Sequence, residues 1–272
     1  MHQVAIVGAG ELGGAIAHLL ARRDVVRAIA LVDETGRVAA GKSLDIAQAA
    51  PIEGFATQLA GSTDLSAVAG AAVVVIAGEE VALTRLRHVA QLASTAVIVC
   101  AAASARELVD RGVRELKIPR TRLFGSAPEA LASGARALAA LAIDGSPRDV
   151  AITVLGVPPD RIVVPWEDAA VGGFALTRLV DEPARRRLSG KVQAMWPPGP
   201  HALAAAAVKA IESIAGRQRQ TISCFVAPDE ASAGRRRTAA LPVRLGPGGI
   251  IDVVLPSLTV VEQVQLDNAM MM

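Results

Sequence analysis

The sequence has 272 residues, of which 52% are apolar and 20% are charged. This length accommodates one large or two ordinary domains, and the composition excludes a disordered chain. Lysine and arginine number 28 and aspartate and glutamate 26, so the formal charge of +2 argues against nucleic acid or an anionic membrane as a main partner. Aromatic residues are 2% of the chain and histidines number four, which leaves few groups for base stacking or acid–base chemistry.

The two cysteines, Cys100 and Cys224, lie far apart in apolar runs. We therefore expect buried thiols of a reducing compartment rather than a disulfide or a metal site. The first residues contain no basic segment or cleavage site, and no apolar stretch approaches the roughly 18 residues of a membrane span. The sequence predicts a cytoplasmic protein with no membrane segment and no bound metal.

Short apolar runs alternate with alanine-rich helical segments in the first half of the chain. Continuous apolar runs are typical of strands buried on both faces, so this alternation predicts a doubly wound parallel α/β sheet. The predicted strands are residues 4–7, 28–32, 73–77, 96–100 and 122–125. The predicted helices are residues 11–23, 41–49, 83–92 and 105–115.

The second half of the chain has a different pattern, which predicts a separate α+β domain. We place the boundary near residue 125, so that residues 1–125 and 126–272 form the two domains. The predicted helices are residues 129–142, 202–214 and a last helix from about 259, and the predicted strands are residues 150–155, 162–165, 222–226 and 250–255. A stretch rich in proline, glycine and arginine, residues 182–200, has no predicted element.

A glycine motif, Gly8-Ala9-Gly10-Glu11-Leu12-Gly13, follows the first predicted strand and opens the first predicted helix. In this context Gly8 allows a tight turn, Gly10 lets the backbone approach a pyrophosphate, and Gly13 allows close helix–strand packing. The helix N-terminus adds free N–H groups and the positive end of the helix dipole. The motif therefore predicts a dinucleotide-binding domain of the Rossmann type in residues 1–125.

An acidic residue, Asp33, ends the second predicted strand, 20 residues after Gly13. A carboxylate at this place accepts hydrogen bonds from both ribose hydroxyls and repels a 2′-phosphate. Glu34 beside it adds to that repulsion, so NAD is favoured over NADP. Two alternatives stay open here: a glycine turn that binds nothing, and another dinucleotide such as FAD.

Several further segments stand in a distinctive order along the chain: residues 41–46, 51–55, 73–78, 163–166, 170–173, 202–214 and 241–246. With the glycine motif, they make the chain similar, nearly end to end, to the malate/lactate dehydrogenase family. The resemblance implies NAD as cofactor, Ala77 and Gly78 near the nicotinamide ribose, and a substrate-type second domain. It also implies a homodimer that pairs through the helix containing residues 41–49.

The chain departs from this family at the positions of the catalytic groups. The family's histidine lies in a Gly-Gly-His-Gly-Asp turn, and this chain has Pro158 at that position. Leu131 and Gly134 stand where the family has an aspartate and the arginine that grips the substrate carboxylate. Ala101 replaces an asparagine, and only the next family arginine has a counterpart, Arg136.

The remaining candidate groups are few. The family's loop of prolines and arginines is shortened here to residues 79–85, with Arg85 and Arg87 as its nearby cations. His201 precedes a helix whose start lies near the substrate pocket in the family, so it is a candidate base, and Arg136 is a candidate anion ligand. The basic runs at residues 185–187 and 235–237 are interpreted as solvated surface.

These observations leave two hypotheses from different classes. In the first, the chain binds NAD(H) but lacks the His/Asp/Arg set, so that it is a pseudoenzyme inactive on malate and lactate. In the second, it is an NAD-dependent oxidoreductase with a remodelled pocket that acts on a different 2-hydroxy acid or ketone.

Overall fold

A six-stranded parallel sheet forms the first part of the molecule, in a computed structural model that describes residues 1–79, 81–229 and 236–271. In chain order its strands are β1 (Gln3–Val7), β2 (Ala28–Val32), β3 (Gln58–Ser62), β4 (Val73–Ile76), β5 (Val97–Cys100) and β6 (Leu123–Gly125). Their spatial order is β3-β2-β1-β4-β5-β6, with every neighbouring pair parallel. This is the doubly wound Rossmann arrangement, so the predicted fold class is confirmed.

Helices cover both faces of this sheet and explain why its strands are continuous apolar runs. The connecting helices are α1 (Glu11–Arg22), α2 (Gly36–Glu53), α3 (Leu83–Leu92) and α4 (Ala105–Arg114). Every residue of β4 and of β5 is buried, and alternate residues of each strand belong to two different core clusters. A strand packed on both faces has no solvent-facing side, so no polar alternation appears in its sequence.

Two elements of the first half differ from the sequence prediction. β3 has no predicted counterpart because it is an edge strand with a largely exposed, weakly apolar sequence. α2 is longer than the predicted residues 41–49, and it places Leu44 (62% exposed) and Ile52 (88% exposed) towards solvent. Apolar residues on the outer face reduce the contrast between the two faces on which helical periodicity depends.

The second half extends the same sheet with antiparallel strands. Its strands are β7 (Val150–Ala151), β8 (Leu155–Val157), β9 (Arg161–Val163), β10 (Ala170–Val171), β11 (Phe174–Ala175), β12 (Ile222–Val226), β13 (Ala239–Gly246) and β14 (Gly249–Val253). The sheet continues from β6 in the order β12-β13-β8-β9, with β14 also paired to β13, while β7, β10 and β11 form a small separate sheet. The helices are α5 (Ala127–Ala142), α6 (Glu182–Ala194), α7 (Pro200–Ile214) and α8 (Val260–Met270).

The structure corrects two predictions in this half. The predicted strand at residues 150–155 is two short strands, β7 and β8, which belong to different sheets. The stretch 182–200 contains α6, whose start is capped by Asp181 accepting a hydrogen bond from the Ala184 N–H. The arginines and the proline of this stretch obscured a helix that buries only Leu188 and Val192, four residues apart.

Other features of the second half follow the sequence more closely. α8 begins directly after Thr259, whose side chain and Glu262 form a reciprocal capping box. The predicted domain boundary near residue 125 falls between β6 and α5, and it stays a prediction because the sheet is continuous across it. Within the described ranges, no helix is both long and apolar enough to cross a membrane.

Phe225 lies where the parallel and antiparallel parts of the sheet meet. On β12 it pairs with Gly125 of β6, and a Cβ atom on that glycine would lie 2.9 Å from the Phe225 ring. The buried ring also meets Trp196 edge to face, with centroids 5.9 Å apart. This aromatic side chain therefore fills the junction between the two parts of the sheet.

We expect Phe225→Ala to lower the free energy of unfolding by about 3–5 kcal/mol, because it leaves a cavity at this junction. Urea denaturation followed by circular dichroism measures the change. The matched control is Phe174→Ala, which removes a ring that is 67% exposed and should change stability by less than about 1 kcal/mol. Equal losses in the two variants would contradict this assignment.

Candidate functional site

The glycine motif forms the turn between β1 and α1, and two of its glycines are required by close backbone contacts. Gly8 has a φ of +99°, in the left-handed region, and a Cβ atom there would lie 3.2 Å from the Gly78 nitrogen. A Cβ atom on Gly13 would lie 1.8 Å from the Gly8 carbonyl oxygen. The turn therefore folds tightly back onto the start of α1, as the motif predicts.

Gly10 differs from these two glycines because it faces open space. It is the N-cap residue of α1, and a Cβ atom on it would have no neighbour within 4 Å. Glu11 is exposed in the first turn of the helix, while Leu12 is buried beneath it. The free N–H groups at this helix start thus border a cradle that an anionic group has room to enter.

Asp33 is brought against this cradle by the parallel pairing of β1 with β2. Its Oδ2 accepts a hydrogen bond from the Ala9 N–H at 2.7 Å, and its Oδ1 accepts one from the Thr35 N–H at 3.0 Å. An ionised carboxylate has about four acceptor positions, so both oxygens keep capacity for further donors. The acidic residue therefore lies beside the glycine loop in the fold.

Ala77 and Gly78 follow β4 and lie beside the glycine loop. The Ala77 N–H donates to the Val7 carbonyl at 2.9 Å, and Gly78 is the residue closest to the Cβ position of Gly8. The loop after β1 and the end of β4 thus meet at the carboxyl edge of the sheet. The strand order reverses between these two strands, since β2 and β3 lie on one side of β1 and β4 to β6 on the other. In open α/β sheets, ligands bind in the crevice at this switch point.

The shortened segment after Gly78 is fixed at its far end by an ion pair. Arg85, in the first turn of α3, donates to the Glu34 carboxylate, which follows Asp33. Both residues line a cleft of about 490 Å³, together with Val81, Ala82 and Thr84. Arg87 is exposed on α3, and Glu80 lies outside the described residues.

The positions at which the sequence analysis expects the family's catalytic groups hold side chains without acid–base function. Pro158 is buried in the turn between β8 and β9, and Leu131 is buried in α5. A Cβ atom on Gly134 would lie 2.8 Å from the Met195 methyl carbon, so methionine atoms occupy the space beside this glycine. Ala101, after β5, is also buried.

Arg136 is engaged in a buried ion network that the sequence analysis missed. It pairs with Glu129, which is only 2% exposed, and donates to the Ile152 carbonyl at 2.9 Å. Glu129 also accepts hydrogen bonds from Lys209 Nζ at 2.8 Å and from the Ser223 N–H at 2.9 Å. Glu129 is the single acid of an alanine-rich helix, two turns before Arg136, and this spacing was the available signal.

His201 and the first basic run, residues 185–187, show no comparable arrangement. His201 is exposed as the second residue of α7 and makes no hydrogen bond or ion pair with the part of the chain that the structure describes. In the first run, Arg185 lies 3.9 Å from Glu167 and Arg186 pairs with Glu182. Arg235 lies outside the described residues.

Both cysteines are buried and unpaired, as the sequence predicts. Burial raises the pKa of the Cys100 thiol to about 12. Burial also raises the pKa of Cys224, and the negative charge of Glu129 adds to this effect. Neither thiol is therefore a nucleophile at neutral pH.

The chain is similar in sequence to known lactate and malate dehydrogenases. Residues 2–82 match the family model described as lactate/malate dehydrogenase, NAD binding domain. The chain is 26% identical to a malate dehydrogenase of Syntrophotalea carbinolica, covering 98% of this chain and 95% of that protein. It is 28% identical to the malate dehydrogenase of Thioalkalivibrio sulfidiphilus, covering 99% and 96%.

Solved structures show the same fold. A malate dehydrogenase from Salinibacter ruber superposes with a TM-score of 0.89 at 24% identity, covering 98% of this chain and 93% of that one. The lactate dehydrogenase from Cryptosporidium parvum, complexed with lactic acid and β-nicotinamide adenine dinucleotide, superposes with a TM-score of 0.90 at 20% identity, covering 98% and 94%. The glycine loop and Asp33 fall inside the matched NAD-binding domain, which confirms NAD as the predicted cofactor; the individual contact residues stay predictions.

The two kinds of glycine in the loop lead to different expected effects. Gly13→Ala should lower the free energy of unfolding by about 1–3 kcal/mol, because the new methyl group overlaps the Gly8 carbonyl. Gly10→Ala should cost less than about 1 kcal/mol, yet weaken NADH binding about tenfold or more because its methyl group enters the cradle. Thermal unfolding and calorimetric titration with NADH measure the two effects.

Gly41→Ala is the control, since this glycine lies in α2 with open space at its Cβ position and outside the cradle. It should leave NADH binding unchanged. Unimpaired NADH binding by Gly10→Ala would show that the cradle is not the cofactor site.

Proposed function

We propose that this chain, which belongs to the malate/lactate dehydrogenase family, binds NAD(H) in residues 1–125 and lacks the family's usual dehydrogenase activity. One contrast carries the proposal. The dinucleotide cradle is complete, from Gly8 to Asp33, whereas proline, leucine, glycine and alanine occupy the positions of the catalytic groups. Such a protein is a cofactor-binding pseudoenzyme.

Each part of the cradle has a role toward the cofactor. The N–H groups at the start of α1 face the pyrophosphate, and Gly10 leaves room for it. Asp33 uses its remaining acceptor capacity on the ribose hydroxyls, and the end of β4 at Ala77 and Gly78 supports the nicotinamide end. When bound, NAD supplies a nicotinamide carbon that accepts or donates hydride.

The preference for NAD over NADP follows from charge. A 2′-phosphate would lie against the carboxylates of Asp33 and Glu34, and like charges close together repel each other. Arg85, the nearby cation of the shortened segment, is already paired with Glu34. Its charge is therefore not available to a phosphate without breaking that pair.

Oxidation of a 2-hydroxy acid needs a base that takes the hydroxyl proton and an arginine that holds the carboxylate. Pro158 has no proton-accepting side chain, and the neutral Leu131 offers no charge to orient a base. The space at Gly134 contains Met195 instead of a guanidinium group. Loss of the acid–base group alone costs about 10²–10⁴ in rate, and loss of the arginine removes substrate binding as well.

The remaining candidates do not replace these groups. Arg136 pairs with the buried Glu129 and donates to the Ile152 carbonyl, so moving it to a substrate would break both contacts and take one of two cationic partners from a buried carboxylate. His201 is exposed and has no described partner to fix its tautomer. Neither candidate therefore serves as the proton acceptor beside the cofactor.

We expect NADH to raise the melting temperature and NADP to raise it less, with no NADH oxidation above a protein-free blank when oxaloacetate, pyruvate or other 2-oxo acids are added. Pro158→His alone should not create activity, because Leu131 and Gly134 remain. Absence of any NADH-induced stabilisation would reject the binding proposal. Turnover that disappears in His201→Ala would instead establish the alternative, an oxidoreductase with a remodelled pocket.

We further propose that the protein is a homodimer that pairs through α2. The family resemblance places the interface there, and the exposed Leu44 and Ile52 give this helix the apolar outer face that an interface buries. Analytical ultracentrifugation at micromolar concentration should show a dimer that Leu44→Asp dissociates. Leu141→Asp, on the exposed face of α5, should leave the dimer intact, and a monomeric wild type would contradict the proposal.

The expected compartment is the cytoplasm. Cys100 and Cys224 are free and buried, which supports a reducing environment.

A further inference from the structure

The last turn of α8, outside the cofactor cradle, is contacted by the side chain of one arginine and by the backbone of another. Arg161, at the start of β9, donates a hydrogen bond from Nη1 to the Asn268 carbonyl at 2.7 Å. The backbone N–H of Arg237, just before β13, donates to the Met270 carbonyl at 2.9 Å. Because the two acceptor carbonyls lie within one turn of a single helix, both arginines are held at the same helix end.

A third arginine, Arg106, approaches from α4. The Thr238 hydroxyl donates to Asp110 Oδ1 at 2.8 Å, so the segment around Arg237 lies along this helix. Arg106 is four residues before Asp110, and residues four apart share one face of a helix. Arg106 therefore lies on the helix face that contacts the segment of Arg237.

The pKa of Arg237 is affected by its burial and by the two neighbouring arginines. Burial lowers the pKa of its guanidinium group, and the positive charges of Arg161 and Arg106 lower it further. Its Nε is buried and has no hydrogen-bond partner among the described residues. Asp110, the acid on this face of α4, is already engaged by Arg114 and Thr238.

Among the described residues, no carboxylate lies within ion-pair distance of any of these three arginines. Elsewhere in the chain, arginines commonly face an acid, as Arg23 faces Glu212 at 2.8 Å. Three neighbouring positive charges without an opposite charge repel one another, and a half-buried position screens that repulsion less than bulk water does. The cluster is thus electrostatically incomplete without a negative partner.

We propose that Arg106, Arg161 and Arg237 form a binding site for a small anion with two or more negative charges, such as inorganic phosphate or a phosphate monoester. The planar guanidinium fork matches the oxygens of a phosphate group in pairs. A divalent anion also neutralises more of the clustered charge than chloride does. The proposal concerns the second half of the chain and α4, so it does not depend on NAD binding.

A small anion fits better than a polyanion such as nucleic acid. Arg106 and Arg237 are half-buried rather than spread over an exposed surface. The chain as a whole carries a formal charge of only +2, and aromatic residues for base stacking are 2% of its sequence. These features favour one compact charged group.

The test compares sodium phosphate with sodium chloride at equal ionic strength, using thermal unfolding and calorimetric titration of the full chain. We expect phosphate to raise the melting temperature of the wild type in a saturable way and chloride to have no such effect. Equal stabilisation by both salts, or no stabilisation by phosphate, would overturn the proposal. Binding of heparin without any response to phosphate would also overturn it.

Arg106→Gln and Arg237→Gln should each weaken phosphate binding about fivefold or more, because each removes one charged donor. The control is Arg187→Gln on α6, an exposed arginine that should bind phosphate as the wild type does. In chloride alone, Arg237→Gln should melt no lower than the wild type, since it removes like-charge repulsion. A lower melting temperature in chloride together with unchanged phosphate affinity would show that Arg237 is a structural residue.

Discussion

The architecture of the cofactor half depends on one close approach of backbone to backbone. The start of α1 packs so tightly under the turn after β1 that a Cβ atom on Gly13 would lie 1.8 Å from the Gly8 carbonyl oxygen. This contact aims the free N–H groups of α1 at the carboxyl edge of the sheet. The same turn places the Ala9 N–H 2.7 Å from Asp33 Oδ2, so a single local geometry sets the proposed phosphate and ribose positions.

The second half of the chain is subject to a different constraint. A buried charge is tolerated there only where an oppositely charged group pairs with it. Removing one member of a buried charged set leaves the others unpaired, at a cost of several kcal/mol. Here the positions predicted to correspond to the family's catalytic groups are all neutral, and Leu131 and the Met195 contact at Gly134 add apolar packing. The buried carboxylate of Glu129 is matched by Arg136 and Lys209. The interior of the second half therefore satisfies this constraint, because the neutral positions need no charged partner and Glu129 has two.

The sequence predicts what depends on local pattern and misses what depends on contacts across the fold. The glycine turn and the fully buried β4 and β5 have distinctive signatures because each residue's environment is determined by its own element. β3 and α6 lack such signatures, since each buries too little to show a periodic pattern. Lys209 and Ser223 join Glu129, and Arg161 and Arg237 approach Arg106, only through contacts between residues far apart in the sequence, so no spacing along the chain reveals these parts of the two clusters.

The cofactor cradle and the arginine cluster differ in the interactions among their own residues when no ligand is bound. At the cradle Asp33 already accepts hydrogen bonds from two backbone N–H groups and the space at Gly10 is open, so binding adds contacts without relieving a conflict. At the cluster, like charges oppose each other until an anion arrives. α4, which carries Arg106, starts soon after β5 ends, and β5 is hydrogen-bonded on both sides in the middle of the sheet. Because a packed central strand does not shift easily, occupancy of one site has no movable element through which to alter the other, and the two ligands should bind independently.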